Sequence, residues 1–208
     1  MEGKLQLSNT LGKLFDGIYA VRFCSNWPQV LGTLVSGKVP THARLKNGLD
    51  ISSSQSPLAI DNEIFSHQVY NPHELPIDDN DIVVDIGANV GIFTLYAAEH
   101  THNHVFAFEP LPLNFEYIQK NLIANNLKHV SCFCTAVSDK SGPVKFYVTA
   151  EVAGNSLADH NINGKIENYI EVPCTTLTSI MDDQKLDRID FLKLDCEGAE
   201  GAILSAPQ

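Results

Sequence analysis

The chain has 208 residues, with 25 Asp or Glu against 14 Lys or Arg, so its formal net charge is −11. Because nucleic acid is bound largely by neutralising phosphates with Lys and Arg, this acidic balance argues against a nucleic-acid partner. Its apolar fraction of 44% is typical of a folded chain with one sizeable core.

No apolar run reaches the ~20 residues that span a bilayer, and residues 1–10 lack the basic-then-apolar order of a signal peptide. We therefore expect no membrane partner. The five cysteines are an odd number without a C-x-x-C pair, which favours free thiols. These features together predict a cytoplasmic protein.

Residues 1–76 are predicted to form an extension of helices and one hairpin. Apolar positions in residues 11–23 recur at loosely helical spacing, and the pattern breaks at Trp27-Pro28. Asn47-Gly48 lies between alternating apolar positions, which is a strong indication of a β-hairpin. Residues 61–70 again show a helix-like pattern.

Residues 77–208 are predicted to form a core in which strands alternate with helices. Short apolar runs indicate buried strands at 82–86, 105–108 and 189–194, a further strand at 130–137, and an antiparallel pair at 143–149 and 169–174 around a loop at 153–164. Helical patterns cover 90–99, 112–126 and 177–183. This order implies βαβ units, so we predict an α/β fold with a mostly parallel sheet and helices on both faces.

Two features follow predicted strands at the sheet edge where ligands bind in such folds. The first is Asp85-Ile-Gly87-Ala-Asn89-Val-Gly91, in which Gly87 permits a tight turn and close backbone approach. In the same run Asn89 can adopt a positive φ, and Gly91 lets the following helix pack close to the strand. The second feature is Glu109, whose carboxylate can accept two hydrogen bonds from a ribose diol.

The run differs from the dinucleotide-binding pattern G-x-G-x-x-G, because Asn89 and Ile92 occupy two of the glycine positions. The middle glycine is the one that lets a pyrophosphate approach the helix. In addition, Asp85 places a negative charge beneath that position. A cationic, phosphate-free adenosine cofactor, S-adenosylmethionine, therefore suits the site better. A structural turn and a nicotinamide-dependent oxidoreductase remain as alternatives.

Four blocks of sequence occur in a characteristic order: V-V-D-I-G-A-N-V-G-I-F-T-L-Y-A-A, V-F-A-F-E-P-L-P-L-N-F, A-V-S-D-K-S-G-P-V-K-F-Y and R-I-D-F-L-K-L-D-C-E-G-A-E. Together they resemble the FkbM family of class I methyltransferases, over about residues 45–203. The resemblance implies a Rossmann-like fold with S-adenosylmethionine as cofactor. It also implies methyl transfer to a small-molecule partner, a hydroxylated sugar or secondary metabolite.

The resemblance assigns roles to individual positions. It implies a cofactor loop of Asp85, Gly87, Ala88, Asn89 and Gly91, a ribose-binding Glu109, and an adenine pocket lined by Pro110, Ala136 and Val137. The family's D-x-E-G-A-E motif is present from Asp195 to Glu200, with Cys196 where valine is common.

Asp195 is the first candidate for the base or acceptor-orienting group, and Glu197 is the second. The alternative is that these carboxylates cap the helix that follows. Two carboxylates without a nearby third ligand are weak evidence for a metal, so no metal site is predicted.

The chain ends soon after the fourth predicted core strand, whereas a class I methyltransferase sheet normally has seven strands. We therefore expect a core that is incomplete at its C-terminus. One alternative to a small-molecule enzyme is therefore a non-catalytic fragment that acts at most as a binding module. A separate alternative is a methyltransferase acting on protein or nucleic acid.

Overall fold

The computed structural model describes residues 14–58, 76–149, 166–196 and 198–205. Their helices are α1 (14–23), α2 (Trp27–Val35), α3 (Ile92–His100), α4 (Pro112–Ala124), α5 (Leu177–Gln184) and α6 (Glu200–Ser205). Their strands are β1 (His42–Arg44), β2 (Asp50–Ser52), β3 (Val83–Ile86), β4 (Val105–Phe108), β5 (Val130–Phe133), β6 (Ala136–Val137), β7 (Gly142–Thr149), β8 (Ile166–Thr175) and β9 (Phe191–Leu194). The predicted helix at 61–70 and loop at 153–164 lie outside the described residues.

The hairpin predicted around Asn47-Gly48 is confirmed, because β1 and β2 pair antiparallel with Ala43 opposite Ile51, both fully buried. The predicted break lies at residues 24–26, between α1 and α2, and so directly before Trp27-Pro28. These two residues begin α2, because proline is tolerated in the first helical turn, where its missing N–H has no partner to lose.

The central sheet has the strand order β5-β4-β3-β9, and all three pairings are parallel. Every residue of β3 and β4 is buried, as their β-branched and aromatic composition predicts. By contrast, β9 is mostly half-buried and begins at Phe191, two residues after its predicted start. This arrangement confirms the α/β class with a parallel sheet.

The single strand predicted at 130–137 is wrong, because the chain divides there between two sheets. Residues Val130–Phe133 complete the pairing with β4, and Ala136–Val137 then join a second sheet of order β6-β8-β7. In that sheet β6 runs parallel to β8, whereas β7 and β8 form the predicted antiparallel pair.

Alternating strand residues divide the apolar side chains between the two faces of the central sheet. Val83 and Val105 belong to a cluster that includes residues of α3 and α4, and also Tyr19 and Ile51 of the N-terminal extension. The opposite face packs on residues of α5 and α6, through a second cluster whose buried members are Val84, Ile86, Phe106, Phe108, Val137, Ile180, Ala199 and Ile203. Helices therefore cover both faces, as the sequence predicts.

Two asparagines of the α4 region hold the hairpin to the core. Asn121 and the backbone of Ser52 exchange hydrogen bonds of 2.8 and 3.0 Å, and Asn125 and the backbone of Asp50 exchange bonds of 2.7 and 2.8 Å. Described residues on either side of the predicted boundary between residues 76 and 77 thus share contacts. None of the helices in the described ranges is long and apolar enough to cross a bilayer.

Candidate functional site

The loop between β3 and α3 contains three residues in the left-handed region. Gly87 has φ +77°, Asn89 has φ +53° and Gly91 has φ +85°. The positive φ predicted for Asn89 is confirmed, since asparagine is among the few side chains that tolerate this conformation. These residues turn the chain sharply from the end of β3 into the helix.

The predicted close backbone approach at Gly87 is confirmed: the segment that lies against Gly87 is the backbone just after β9. A Cβ atom on Gly87 would lie 2.7 Å from the carbonyl carbon of Asp195 and closer still to its oxygen. At Gly91 a Cβ would lie 3.2 Å from Ile118 of α4, so the small residue leaves room for that helix. The loop therefore adjoins Asp195, the first candidate for the acceptor-side group.

The backbone amides of this loop are engaged within the fold. Those of Gly87 and Ala88 both donate to the Phe108 carbonyl at 3.0 Å, and the amide of Gly91 donates to the Ala88 carbonyl at 2.8 Å. The amide of Asn89 donates to the carboxylate of Glu109, also at 2.8 Å. These four amides are consequently not free to bind a pyrophosphate.

Glu109 lies at the end of β4 with 5% of its surface exposed. Its carboxylate accepts hydrogen bonds from the Asn89 amide, the Leu111 amide (3.0 Å) and the Asn114 side chain (3.5 Å). Burial raises the pKa of Glu109 to about 7, although these hydrogen bonds and the charge of Lys193 oppose the shift. The group is thus a buried carboxylate that titrates near neutrality.

Asp85 lies beneath the loop and is fully buried. It accepts a hydrogen bond from the Thr94 hydroxyl at 2.6 Å and forms an ion pair with Lys193 at 3.1 Å. The negative charge predicted beneath the loop is therefore present together with a counter-ion. Lys193 is the site residue that the sequence analysis missed, and its only signal is a lysine inside the apolar run F-L-K-L.

The motif after β9 has one exposed carboxylate and one that acts as a cap. The Asp195 side chain is 47% exposed, with an oxygen 3.7 Å from the Lys193 ammonium. Glu200 accepts hydrogen bonds from the amides of Cys196 (2.8 Å) and Gly198 (2.9 Å), so it fixes the turn that leads into α6. Glu197, the second catalytic candidate, lies outside the described residues.

Cys196 is not activated as a nucleophile in this turn. Burial, reinforced by the neighbouring carboxylate of Glu200, raises its pKa to about 12. A thiol is nucleophilic only as the thiolate, so Cys196 stays protonated and inert near neutral pH.

The residues predicted to line an adenine pocket are all buried. Pro110 directly follows Glu109, and its carbonyl oxygen lies 3.8 Å from the Cys134 sulfur. Ala136 and Val137 are 3% and 2% exposed and belong to two different apolar clusters, so the structure places them on separate packing faces of β6. Cys134 therefore lies next to one of the residues predicted to contact adenine, a position that the sequence alone did not indicate.

The residues that the structure describes contain no cluster of three or more His, Cys, Asp or Glu side chains suited to hold a metal ion.

Comparison with known proteins identifies a matching family. The sequence model of the methyltransferase FkbM domain matches residues 85–208. Methyltransferase sdnD of Sordaria araneosa is 29% identical over 173 residues, which cover 68% of this chain and 65% of that protein. The 31-O-demethyl-FK506 methyltransferase FkbM of Streptomyces tacrolimicus is 27% identical over 192 residues, which cover 78% of this chain and 74% of that protein.

Among solved structures, M. jannaschii TYW2 in complex with AdoMet is 18% identical to this chain. The match covers 45% of this chain and 48% of that one, with a TM-score of 0.33. This likeness is too partial to bear on function.

Proposed function

The chain belongs to the methyltransferase FkbM domain family, and from this we propose that it transfers a methyl group from S-adenosylmethionine to a hydroxyl of a sugar or secondary metabolite. The chain spans about two thirds of the length of sdnD, so the activity of a whole methyltransferase is a proposal for this chain. The name of the Streptomyces relative, a 31-O-demethyl-FK506 methyltransferase, supports oxygen as the acceptor atom.

The observation that carries the proposal is the position of Glu109 beside the loop. A carboxylate has about four lone-pair positions, and Glu109 uses at most three of them within the fold. The remaining capacity suits a ribose hydroxyl, and 5% of the residue's surface is accessible.

The charge of the site also fits a cationic cofactor. Three carboxylates face one ammonium, that of Lys193, which lies 3.1 Å from Asp85 and 3.7 Å from Asp195 and whose charge also acts on Glu109. This excess of negative charge favours a ligand that carries a sulfonium and an ammonium group. It disfavours a dinucleotide, whose pyrophosphate would also find the amides of Gly87, Ala88, Asn89 and Gly91 already engaged.

Bound S-adenosylmethionine supplies the electrophilic methyl group. The acceptor oxygen must align with that methyl group and lose its proton, and the protein's task is to place and deprotonate it. Asp195 is the proposed residue for this task, because its carboxylate is half-exposed and its backbone adjoins Gly87 of the cofactor loop. Glu197 stays the second candidate.

Asp195→Asn is expected to fold normally and to lower methyl transfer at least tenfold, because the amide cannot accept the acceptor's proton. The measurement is transfer of isotope-labelled methyl from S-adenosylmethionine to a panel of hydroxylated sugars and metabolites, with a protein and an RNA as further acceptors. Asp190→Asn is the matched control, since Asp190 is an aspartate before β9 that pairs with Arg188 away from the loop. Full transfer by Asp195→Asn would exclude Asp195 as the base.

A further inference from the structure

One buried ammonium, that of Lys193, lies close to the carboxylates of Asp85 and Asp195. Its side chain is 6% exposed, and the parallel register places it directly beside Asp85. Its Nζ atom lies 3.1 Å from the Asp85 carboxylate and 3.7 Å from that of Asp195, and it donates a hydrogen bond of 2.8 Å to the Gly87 carbonyl. Its charge also opposes the burial that raises the pKa of Glu109.

We propose that Lys193 is the positioning residue of the cofactor site, holding the loop through the Gly87 carbonyl and orienting the carboxylates on either side of it. This inference rests on the proposed function, because it concerns the site that would bind S-adenosylmethionine. Lys193 contacts Gly87 of the loop, Asp85 of β3 and Asp195 after β9, so it links the cofactor side of the site to Asp195 on the acceptor side.

A role for Lys193 only as the counter-ion of Asp85 would not explain its hydrogen bond to the Gly87 carbonyl. An ammonium has three donors, and the contact of Lys193 to the Gly87 carbonyl, at 2.8 Å, is shorter than its contact to Asp85, at 3.1 Å. That carbonyl belongs to a residue with φ +77°, beyond the last pairing of β3 with its neighbours, so strand pairing does not hold it. The hydrogen bond from Lys193 instead holds the Gly87 carbonyl in one orientation.

The first test is calorimetric titration of Lys193→Met with S-adenosylhomocysteine. Methionine has a similar volume but no charge, and we expect the dissociation constant to rise about tenfold or more, since hydrogen bonds to charged groups are the stronger ones. Ile180→Ala is the control for lost stability, because Ile180 is buried in α5 on the opposite face of the sheet. Its affinity is expected to stay within about twofold of the wild type.

The pH profile of this affinity gives a readout that lost stability alone would not change. In the wild type the affinity is expected to fall as the pH drops through about 7, because the ionised carboxylate of Glu109 accepts hydrogen bonds from the ribose hydroxyls more strongly than the protonated carboxyl does. The titratable groups that face Glu109 are Cys134, after β5, and Lys193, on β9. In Lys193→Met the lysine charge is lost, so the pH midpoint of the affinity profile is expected to move to higher pH. In Ile180→Ala this midpoint is expected to stay where it is in the wild type.

A second pair of variants covers the case in which Lys193→Met does not fold around the unpaired Asp85. In the Asp85→Asn background the carboxylate that forms the ion pair with Lys193 is removed, so Asp85→Asn/Lys193→Met is compared with Asp85→Asn alone. We expect the double variant to bind S-adenosylhomocysteine about tenfold more weakly than the single one.

Equal affinity in this pair would overturn the inference, because Lys193 would then serve only as the counter-ion of Asp85. A folded Lys193→Met variant with wild-type affinity and an unshifted midpoint would also overturn it. Both results leave the proposed function standing. A wild-type chain that does not bind S-adenosylhomocysteine would contradict the proposed function and this inference together.

Discussion

Gly87→Ala is expected to lower the free energy of unfolding by roughly 3 kcal/mol and to abolish measurable binding of S-adenosylhomocysteine. Two costs add. The left-handed φ of +77° is strained for alanine by about 1–2 kcal/mol. The new Cβ would also overlap the backbone of Asp195, a crowding that costs typically 1–3 kcal/mol because neither segment can yield cheaply.

Gly37→Ala is a closely matched control for this substitution. Gly37 has φ +79°, but a Cβ there would meet no atom within 4 Å. It is therefore expected to cost only the conformational term of about 1–2 kcal/mol and to leave ligand affinity unchanged. Denaturant unfolding and calorimetric titration of both variants make the comparison. Equal losses of stability would mean that the loop and the end of β9 do not meet as described.

Glu109→Ala is expected to weaken the binding of S-adenosylhomocysteine by ~1–3 kcal/mol, which is the scale of losing hydrogen bonds to a charged group. This corresponds to about a fivefold to 150-fold rise in the dissociation constant. The loss has two sources. The ribose hydroxyls lose their acceptor, and the amide of Asn89 loses the partner that holds the loop in place.

Glu116→Ala is the matched control, because Glu116 is an exposed carboxylate on α4 and its removal changes the net charge by the same amount. Its affinity is expected to stay within about twofold of the wild type. The difference in affinity between the wild type and Glu109→Ala is expected to be largest in titrations at pH 8, where Glu109 is mostly ionised. Unchanged affinity in folded Glu109→Ala would remove Glu109 from the ribose-binding role.

The sequence predicts the part of the fold that depends on local patterns. The β-branched and aromatic runs of β3 and β4 match buried parallel strands closely, because such strands are apolar on both faces. The left-handed conformation of Asn89 also follows from residue type and motif. These local signals suffice to locate the loop and the carboxylate that borders it.

Contacts between distant segments could not be predicted in the same way. Lys193 is a lysine within an apolar strand, and only the register that pairs it with Asp85 shows that it is a buried counter-ion. Likewise, Asn121 and Asn125 are polar residues that interrupt the apolar pattern in the region of α4. Their hydrogen bonds to β2 depend on how the hairpin packs against the helix. Strand pairing and packing bring these residues together, and no single-segment pattern encodes them.

The central claim is that the loop and Glu109 bind an adenosine cofactor without phosphates. Calorimetric titration of the wild-type chain with S-adenosylhomocysteine, and separately with NADH, tests it most directly. We expect saturable binding of S-adenosylhomocysteine and none of NADH, because the loop amides are engaged and the site has an excess of negative charge. Binding of NADH, or binding of neither ligand by a folded chain, would contradict it.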